Sequence, residues 1–272
     1  MTVVCHVKHD GRSNGPMTTP LALPLLRLHG VSRAFGGLRA VSNVDLAVQS
    51  GEILGLIGPN GAGKTTLFNL ITGVFLPTEG RVEFQQQDIT KFPPARRCTL
   101  GIARTFQLVK PFPHLTVLDN VAVGRIYGRE RANSRRQAEA EAAEVLIEVG
   151  LADRPDLLAK SLTLVDRKRL ELGRALATRP RLLLIDELLA GLNPSEVLVA
   201  MELIRRIRDS GITIIMVEHL VKAVFGLSDR VVVLNAGEKI AEGKPGEVAT
   251  DERVVDAYLG TRHAAEAAGA HA

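Results

Sequence analysis

The chain has 272 residues, 46% of them hydrophobic and 24% charged, which is ordinary for a soluble globular protein of one large or two small domains. The net charge is +4, only 4% of residues are aromatic, and none interleave the small basic clusters such as 167–169, so we expect solvated basic faces and no nucleic-acid partner. The apolar runs are too short to span a bilayer, no signal peptide is evident, and two cysteines without a C-x-x-C motif indicate neither a disulfide framework nor a zinc site. A cytosolic compartment fits best.

The two ends of the chain are predicted to be tails around one folded region. Residues 1–23 are rich in Gly, Pro, Thr and Ser and show no periodicity, which predicts a disordered tail. Residues 262–272 are rich in alanine and are expected to fray. The predicted domain is 24–261, and it opens with strands over residues 25–49.

A nucleotide-binding loop is predicted after the next strand. The residues that follow the apolar run 53–57 fit the pattern G-x-x-x-x-G-K-[ST] and lead into a predicted helix over 65–72. Glycines let successive backbone N–H groups surround a phosphate, and the helix N-terminus adds partial positive charge. Lys64 is expected on the β- and γ-phosphates, and the Thr65 hydroxyl on Mg²⁺. The predicted nucleotide-binding residues are Gly58, Asn60, Gly61, Gly63, Lys64, Thr65 and Thr66. A glycine-rich turn without a ligand is the disfavoured alternative.

Helices are predicted for the middle of the chain. A strand over residues 80–90 is followed by a short helix that begins at Pro93-Pro94. Residues 108–176 are predicted to form a helical insert. Its helices are predicted over 116–123, 132–149 and 167–177.

Strands and helices alternate in the last third. Strands are predicted over 181–185, 212–217, 230–234 and 237–241, with helices over 194–209 and 219–225. The strands are apolar without alternation, which is typical of a parallel sheet covered on both faces. We therefore predict an α/β fold: a P-loop NTPase core with a mostly parallel sheet, an N-terminal antiparallel β portion and an inserted helical subdomain.

Two carboxylates end the strand predicted over 181–185. Asp186 at the strand tip is predicted to hold Mg²⁺, directly or through water. Glu187 follows it, where a carboxylate polarises an attacking water. The alternative is a strand with a solvated acidic end, but the P-loop upstream favours a catalytic pair.

The two motifs, their order and the helical insert resemble the ATP-binding subunit of an ABC transporter, from Leu25 to Gly260. The resemblance implies that Phe35 stacks on adenine. It implies that Gln107, at the Q-loop position, reaches Mg²⁺ and the attacking water, and that His219 is the switch histidine that contacts the γ-phosphate. It also implies a dimer in which each ATP lies between two subunits.

The chain departs from that family where it would contact the partner's ATP. Residues 162–166 read Leu-Thr-Leu-Val-Asp where the family has L-S-G-G-Q. Thr163 is expected to replace the serine, whereas Val165 stands where a glycine permits close approach to phosphate. Asn193 occupies a D-loop position usually held by Asp. We therefore expect the site that receives this signature to hydrolyse ATP slowly, and Val165→Gly to raise turnover if the valine is limiting.

Several short strings are similar to the ATPases of branched-chain amino acid importers, the high-affinity uptake branch that also handles amides and urea. They include the segments 104–107 and 237–243. This resemblance implies a second ABC ATPase, two membrane permeases, a periplasmic or lipid-anchored binding protein, and a peripheral position on the cytoplasmic face of the inner membrane. The alternatives are an ATPase of lipopolysaccharide export and a non-transport ABC ATPase.

Overall fold

The computed structural model describes residues 23–107 and 110–258. The predicted tails therefore lie outside the described residues, apart from Leu23, which is exposed. In chain order the elements are β1 (Leu26–Phe35), β2 (Leu38–Val48), β3 (Ile53–Ile57), α1 (Lys64–Thr72), β4 (Glu79–Phe84), β5 (Gln87–Asp88), α2 (Pro94–Leu100), β6 (Ile102–Arg104), α3 (Val117–Tyr127), α4 (Arg135–Glu148), α5 (Leu164–Leu176), β7 (Leu182–Asp186), α6 (Pro194–Asp209), β8 (Thr213–Val217), α7 (Val221–Leu227), β9 (Arg230–Asn235), β10 (Glu238–Gly243) and α8 (Pro245–Ala249).

The first sheet is antiparallel and has the order β2-β1-β4-β5. Its last hairpin corrects the prediction of one continuous strand over residues 80–90. Gln85 and Gln86 have φ angles of 51° and 64°, and this conformation turns the chain back between β4 and β5. The predicted N-terminal antiparallel portion is confirmed.

The second sheet has the order β10-β9-β3-β8-β7-β6, and all its pairs are parallel except β10 with β9. Strand β6 was not predicted; it is short and pairs with β7 from Ile102 to Arg104. Because parallel strands end at the same edge, the residues after β3, β7 and β8 meet there. The predicted α/β class with a mostly parallel core sheet is thus confirmed.

Helices α3, α4 and α5 pack together beside the second sheet. Helix α3 is longer than predicted and ends at Tyr127. Helix α5 begins at Leu164, three residues before the predicted start at Arg167, because the Thr163 side chain accepts a hydrogen bond from the Asp166 backbone N–H and caps it. The residues that align with the signature motif therefore lie at a helix N-terminus. In the described part of the chain no helix is long and apolar enough to cross a membrane.

A buried arginine fixes the helix that follows the P-loop. Arg97 on α2 is fully buried, and its Nη1 donates to the carbonyl oxygens of Leu70 at 2.6 Å and Ile71 at 2.8 Å, in the last turn of α1. Burial lowers the pKa of Arg97 to about 10. A cation at this end complements the helix dipole and leaves the opposite end of α1 directed at the P-loop.

Candidate functional site

The P-loop bends through three glycines with positive φ: 150° at Gly58, 79° at Gly61 and 99° at Gly63. A Cβ atom at Gly58 would stand 2.1 Å from the carbonyl oxygen of Leu234, so that only glycine fits there. The loop ends at Lys64, the first residue of α1. Its backbone therefore leads directly into the positive end of a helix dipole, as the motif requires.

The loop forms one wall of a cleft of about 200 Å³, and Glu187 and His219 stand on the other. Six of the predicted nucleotide-binding residues line this cleft: Asn60, Gly61, Gly63, Lys64, Thr65 and Thr66. Gly58 directly follows β3, and its backbone hydrogen-bonds the Tyr258 hydroxyl, whose pKa is raised by burial. The cleft thus combines an anion cradle with a carboxylate and an imidazole.

The Lys64 ammonium is buried under the loop. Its Nζ donates to the carbonyl oxygens of Gly58 at 2.6 Å and Pro59 at 2.9 Å. Burial lowers the pKa of Lys64, while the nearby carboxylates of Glu187 and Asp186 act in the opposite direction. The lysine is therefore a desolvated cation beside the cleft, the arrangement in which a charge interacts most strongly with phosphate.

Glu187 is the centre of a hydrogen-bonded cluster. Its Oε2 accepts from Gln107 Nε2 at 2.6 Å, and its Oε1 contacts His219 Nε2 at 2.8 Å. A carboxylate oxygen accepts, so this contact is a hydrogen bond in the forms of His219 that carry a proton on Nε2. The structure thus brings together the three predicted catalytic side chains, which are separated by 80 and 32 residues in the chain.

Asp186 is paired with an arginine that sequence reasoning missed. Nη2 of Arg104 donates to Oδ2 of Asp186 at 2.6 Å, and Nη1 donates to Oδ1 of Asn69 on α1 at 2.5 Å. The available signal was a lone cation in the otherwise apolar segment before Thr105 and Phe106. The arginine ties β6, β7 and α1 together at the edge where the strands end.

A second cleft, of about 480 Å³, is lined by Thr65, Gln107 and Asp186. These side chains offer a hydroxyl, an amide and a carboxylate oxygen, which are the hard ligands that Mg²⁺ prefers. The hydrogen bond from Arg104 goes to Oδ2 of Asp186, and Oδ1 is therefore the carboxylate oxygen that would face the ion. In the described residues no group of three or more His, Cys, Asp or Glu could hold a metal by itself. The donor set fits an ion that is completed by nucleotide oxygens.

Phe35 lies at the end of β1 and is 40% exposed. The Arg33 guanidinium carbon stands 4.7 Å from its ring centroid, and the Phe75 ring meets it edge-on at 5.2 Å. The ring is therefore held by a cation and a second aromatic while part of its surface stays accessible, and adenine stacking remains a prediction.

The signature segment differs in detail from the expectation. The Thr163 hydroxyl donates to Oδ2 of Asp166 at 2.9 Å, so it is already engaged within its own helix. Val165 is half-buried and lines an apolar groove with Leu188 and Leu192. Leu164, which the sequence argument did not single out, is 58% exposed at the tip of α5. The apolar side chain presented to solvent there is therefore Leu164.

The predicted D-loop residue Asn193 caps α6. Its Oδ1 accepts from the Glu196 backbone N–H at 3.0 Å, and the Glu196 carboxylate accepts from the Asn193 N–H at 2.8 Å, which forms a capping box. The side chain therefore has a structural role within this subunit, and its contact with a partner's nucleotide remains a prediction.

Lys168 and Glu218 were also missed. The basic run 167–169 was interpreted as a solvated face, but Lys168 is only 8% exposed and its Nζ donates to the backbone carbonyl oxygens of Glu187 and Leu188. Glu218 is 4% exposed, and burial raises its pKa to about 7. Residue type and spacing do not indicate that Lys168 and Glu218 are buried. They are buried because α5 and β8 pack against residues 187–190.

Comparisons with known proteins agree with this geometry. Residues 41–190 match the ABC transporter family, and residues 238–264 match the branched-chain amino acid ATP-binding cassette transporter family. The chain is 40% identical over 253 residues to the high-affinity branched-chain amino acid transport ATP-binding protein LivG of Escherichia coli (strain K12), with 88% of this chain and 99% of LivG covered.

Solved structures give the same result. The fold is similar to the ADP conformation of MJ1267, an ATP-binding cassette of an ABC transporter, with a TM-score of 0.79, 33% identity, and coverage of 88% of this chain and 100% of that one. It is also similar to the dimeric post-hydrolysis state of the ATP-binding cassette MJ0796 bound to ADP and Pi, with a TM-score of 0.73, 26% identity, and coverage of 81% and 98%. The ABC match spans more than half of the chain, and the chain therefore belongs to the ABC transporter family of ATP-binding proteins, in the branch of the branched-chain amino acid ATPases.

Proposed function

We propose that this chain is the ATP-hydrolysing subunit of an importer for branched-chain amino acids or related amides. The observation that carries the proposal is the cleft in which the P-loop faces Glu187 and His219, in a chain that is similar to LivG along nearly the whole of LivG. The reaction is the hydrolysis of ATP to ADP and phosphate, coupled to transport.

Nucleotide binding is assigned to the P-loop and to α1. Backbone N–H groups of the loop and the N-terminus of α1 face the phosphates, and Lys64 supplies a desolvated positive charge. Phe35 stacks on adenine. Thr65, Gln107 and Asp186 would hold Mg²⁺, which offsets phosphate charge when bound.

Hydrolysis is assigned to the Glu187 cluster. The carboxylate accepts a hydrogen bond from the attacking water and raises its nucleophilicity. Both carboxylate oxygens now receive hydrogen bonds, one from Gln107 and one from His219. Nucleotide entry is therefore expected to redirect Gln107 and His219 toward the phosphate and to free a carboxylate oxygen for water. Backbone N–H groups and Lys64 stabilise the charge that develops on the phosphate.

The chain is proposed to act within a membrane assembly at the cytoplasmic face of the inner membrane. Its partners are a second ABC ATPase, two permeases and, indirectly, a periplasmic or lipid-anchored binding protein. Thr163, Val165 and Asn193 face the partner's nucleotide in the closed dimer. ATP favours the closed dimer because it binds that state better, and hydrolysis resets it.

Two other functions are disfavoured. An ATPase of lipopolysaccharide export and a non-transport ABC ATPase share the P-loop and the sheet. Neither accounts for the match of residues 238–264 to the branched-chain amino acid cassettes.

The test is to tag the full chain in its native host, solubilise membranes gently and identify what co-purifies. We expect two permeases and a second ATPase, and ATPase activity of the reconstituted assembly that rises when a binding protein loaded with leucine, isoleucine or valine is added. Recovery without any membrane partner would overturn the transport function. Stimulation by some other loaded binding protein, and none by these amino acids, would overturn the substrate class.

A further inference from the structure

A buried lysine is hydrogen-bonded to the backbone of residues 187–190, the segment that begins with the glutamate assigned to hydrolysis. Nζ of Lys168, on α5, donates to the carbonyl oxygens of Glu187 at 3.1 Å and Leu188 at 2.8 Å, and also to that of Ala190. An ammonium has three N–H donors, so these three hydrogen bonds use all of them. Burial lowers the pKa of Lys168 because the charge is removed from water, while the carboxylates of Glu218 and Glu187 act in the opposite direction.

A buried carboxylate holds the same segment from another element. Glu218 directly follows β8, and its Oε1 accepts a hydrogen bond from the Leu189 backbone N–H at 2.8 Å. Three carbonyl oxygens and one N–H of residues 187–190 are thus held by one cation and one anion that come from different elements. The opposite charges of Lys168 and Glu218 also attract each other across the segment.

The segment needs such support because its backbone is unusual. Glu187 has a φ of 53°, a left-handed conformation that non-glycine residues adopt at a cost of about 1–3 kcal/mol. Its own N–H donates to the Val217 carbonyl oxygen at 2.9 Å. Without the hydrogen bonds from Lys168, Glu187 could return to a more favourable backbone conformation. Its side chain would then turn away from the cleft.

We propose that Lys168 and Glu218 together form a brace that positions Glu187 by holding the backbone of residues 187–190. The brace rests on the ATPase function proposed above. Neither residue lines the P-loop cleft, so both are positioning residues. Because α5 begins beside Thr163, at the surface assigned to the partner's nucleotide, the brace also links that surface to the glutamate that serves this subunit's own nucleotide.

The first test compares Lys168→Met with Lys168→Arg in the full chain, assembled with its partners. Methionine keeps the length of the side chain but removes the donors, whereas arginine keeps the charge and several donors. We expect Lys168→Met to lower kcat by about tenfold or more and to leave the Kd of a fluorescent ATP analogue within about twofold. Lys168→Arg should recover part of kcat. Lys160→Met, at an exposed lysine of the same subdomain, is the matched control and should behave as wild type.

A lower kcat with an unchanged nucleotide Kd distinguishes a positioning role of Lys168 from a general loss of stability. An unchanged kcat, or a loss of kcat in proportion to nucleotide binding and Tm, would overturn the proposal. If Lys168→Met does not accumulate as folded protein, Lys168→Gln takes its place, since its shorter side chain cannot span the three carbonyl oxygens, and the same split is expected. A wild-type assembly that binds ATP but does not hydrolyse it would refute the proposed function instead of the brace.

A double-mutant cycle tests whether the two residues act as a unit. Glu218→Ala alone should also lower kcat while nucleotide binding is kept. If both residues hold one segment, the double variant with Lys168→Met should be no slower than the slower single variant. Losses of kcat that multiply would show two independent effects and would overturn the brace.

Discussion

Arg104 and Asp186 form a buried ion pair, in which Nη2 donates to Oδ2 at 2.6 Å and the two side chains are only 7% and 5% exposed. The same guanidinium reaches Asn69 on α1, so one side chain joins the P-loop helix to the end of β7. The pair sets the direction of the carboxylate that we assign to Mg²⁺. It also makes the site sensitive to a residue to which the sequence analysis assigned no role in the site.

Replacing Arg104 by methionine should therefore destabilise the chain strongly. The variant leaves the Asp186 carboxylate buried without its cation, which typically costs about 3–5 kcal/mol. Urea denaturation of the full chain measures the change, with Arg81→Met at an exposed ion pair as the control. Addition of Mg²⁺ and ATP should recover more stability in Arg104→Met than in wild type, because the metal replaces the missing charge. A loss below about 1 kcal/mol would contradict the assigned role of the pair.

Glu187→Gln should separate ATP binding from hydrolysis. The amide keeps the size of the side chain, but it cannot accept a proton from water. We expect nucleotide Kd to stay within about twofold and kcat to fall by about a hundredfold or more. The control is Glu202→Gln, an exposed glutamate on α6. Near-normal turnover of Glu187→Gln in the assembled transporter would remove Glu187 from this role.

The contribution of Glu218 to the free energy of unfolding should fall as pH rises from about 4.5 to about 7. Burial raises its pKa from 4.5 to about 7, the Glu187 carboxylate acts in the same direction, and Lys168 opposes it. The folded chain thus binds this proton more tightly than the unfolded chain, and the resulting stability is lost as pH approaches the folded pKa. The contribution is at most about 3 kcal/mol.

The measurement compares urea denaturation of wild type and Glu218→Gln at pH 5 and pH 8. Glutamine has no proton to lose and keeps an oxygen that accepts from Leu189, so the variant should gain stability relative to wild type at the higher pH. Glu202→Gln should follow wild type at both pH values. The same difference between wild type and Glu218→Gln at the two pH values would contradict the raised pKa.

Glycine substitutions at Leu164 and Val165, the first two residues of α5, should lower the free energy of unfolding by different amounts. Leu164 is exposed and is the first residue of α5, so Leu164→Gly loses little packing and should lower the free energy of unfolding by less than about 1 kcal/mol. Val165→Gly also removes a half-buried side chain from the groove beside Leu188, and should cost about 2 kcal/mol. Denaturation of each variant checks these values.

Turnover of the assembled transporter tests whether the apolar signature slows ATP hydrolysis. The sequence favoured Val165 as the limiting side chain, whereas the exposed position of Leu164 favours the larger gain for Leu164→Gly. Unchanged turnover in both variants would mean that neither side chain limits the partner's site.

Much of the site was predictable because its signals are local or depend on position within a known order of motifs. The P-loop needs particular residues at adjacent positions, so Gly63, Lys64 and Thr65 were found from spacing alone. Gln107 and His219 have no local signal and were identified only through the resemblance. The hairpin at Gln85 and Gln86 was missed because neither residue is a usual turn former.

The sequence by itself determined the class of fold, the phosphate-binding loop and the acidic strand end, since each depends on dihedral preferences and periodicity within a few neighbouring residues. Only the tertiary structure decided which charges are buried and paired. Arg104 meets Asp186 across 82 residues, and Lys168 meets Leu188 across 20, because the order of strands and the packing of α5 bring them together. Burial is a property of the packed whole, and a basic residue in a polar run has the same local pattern whether it lies in water or under a loop.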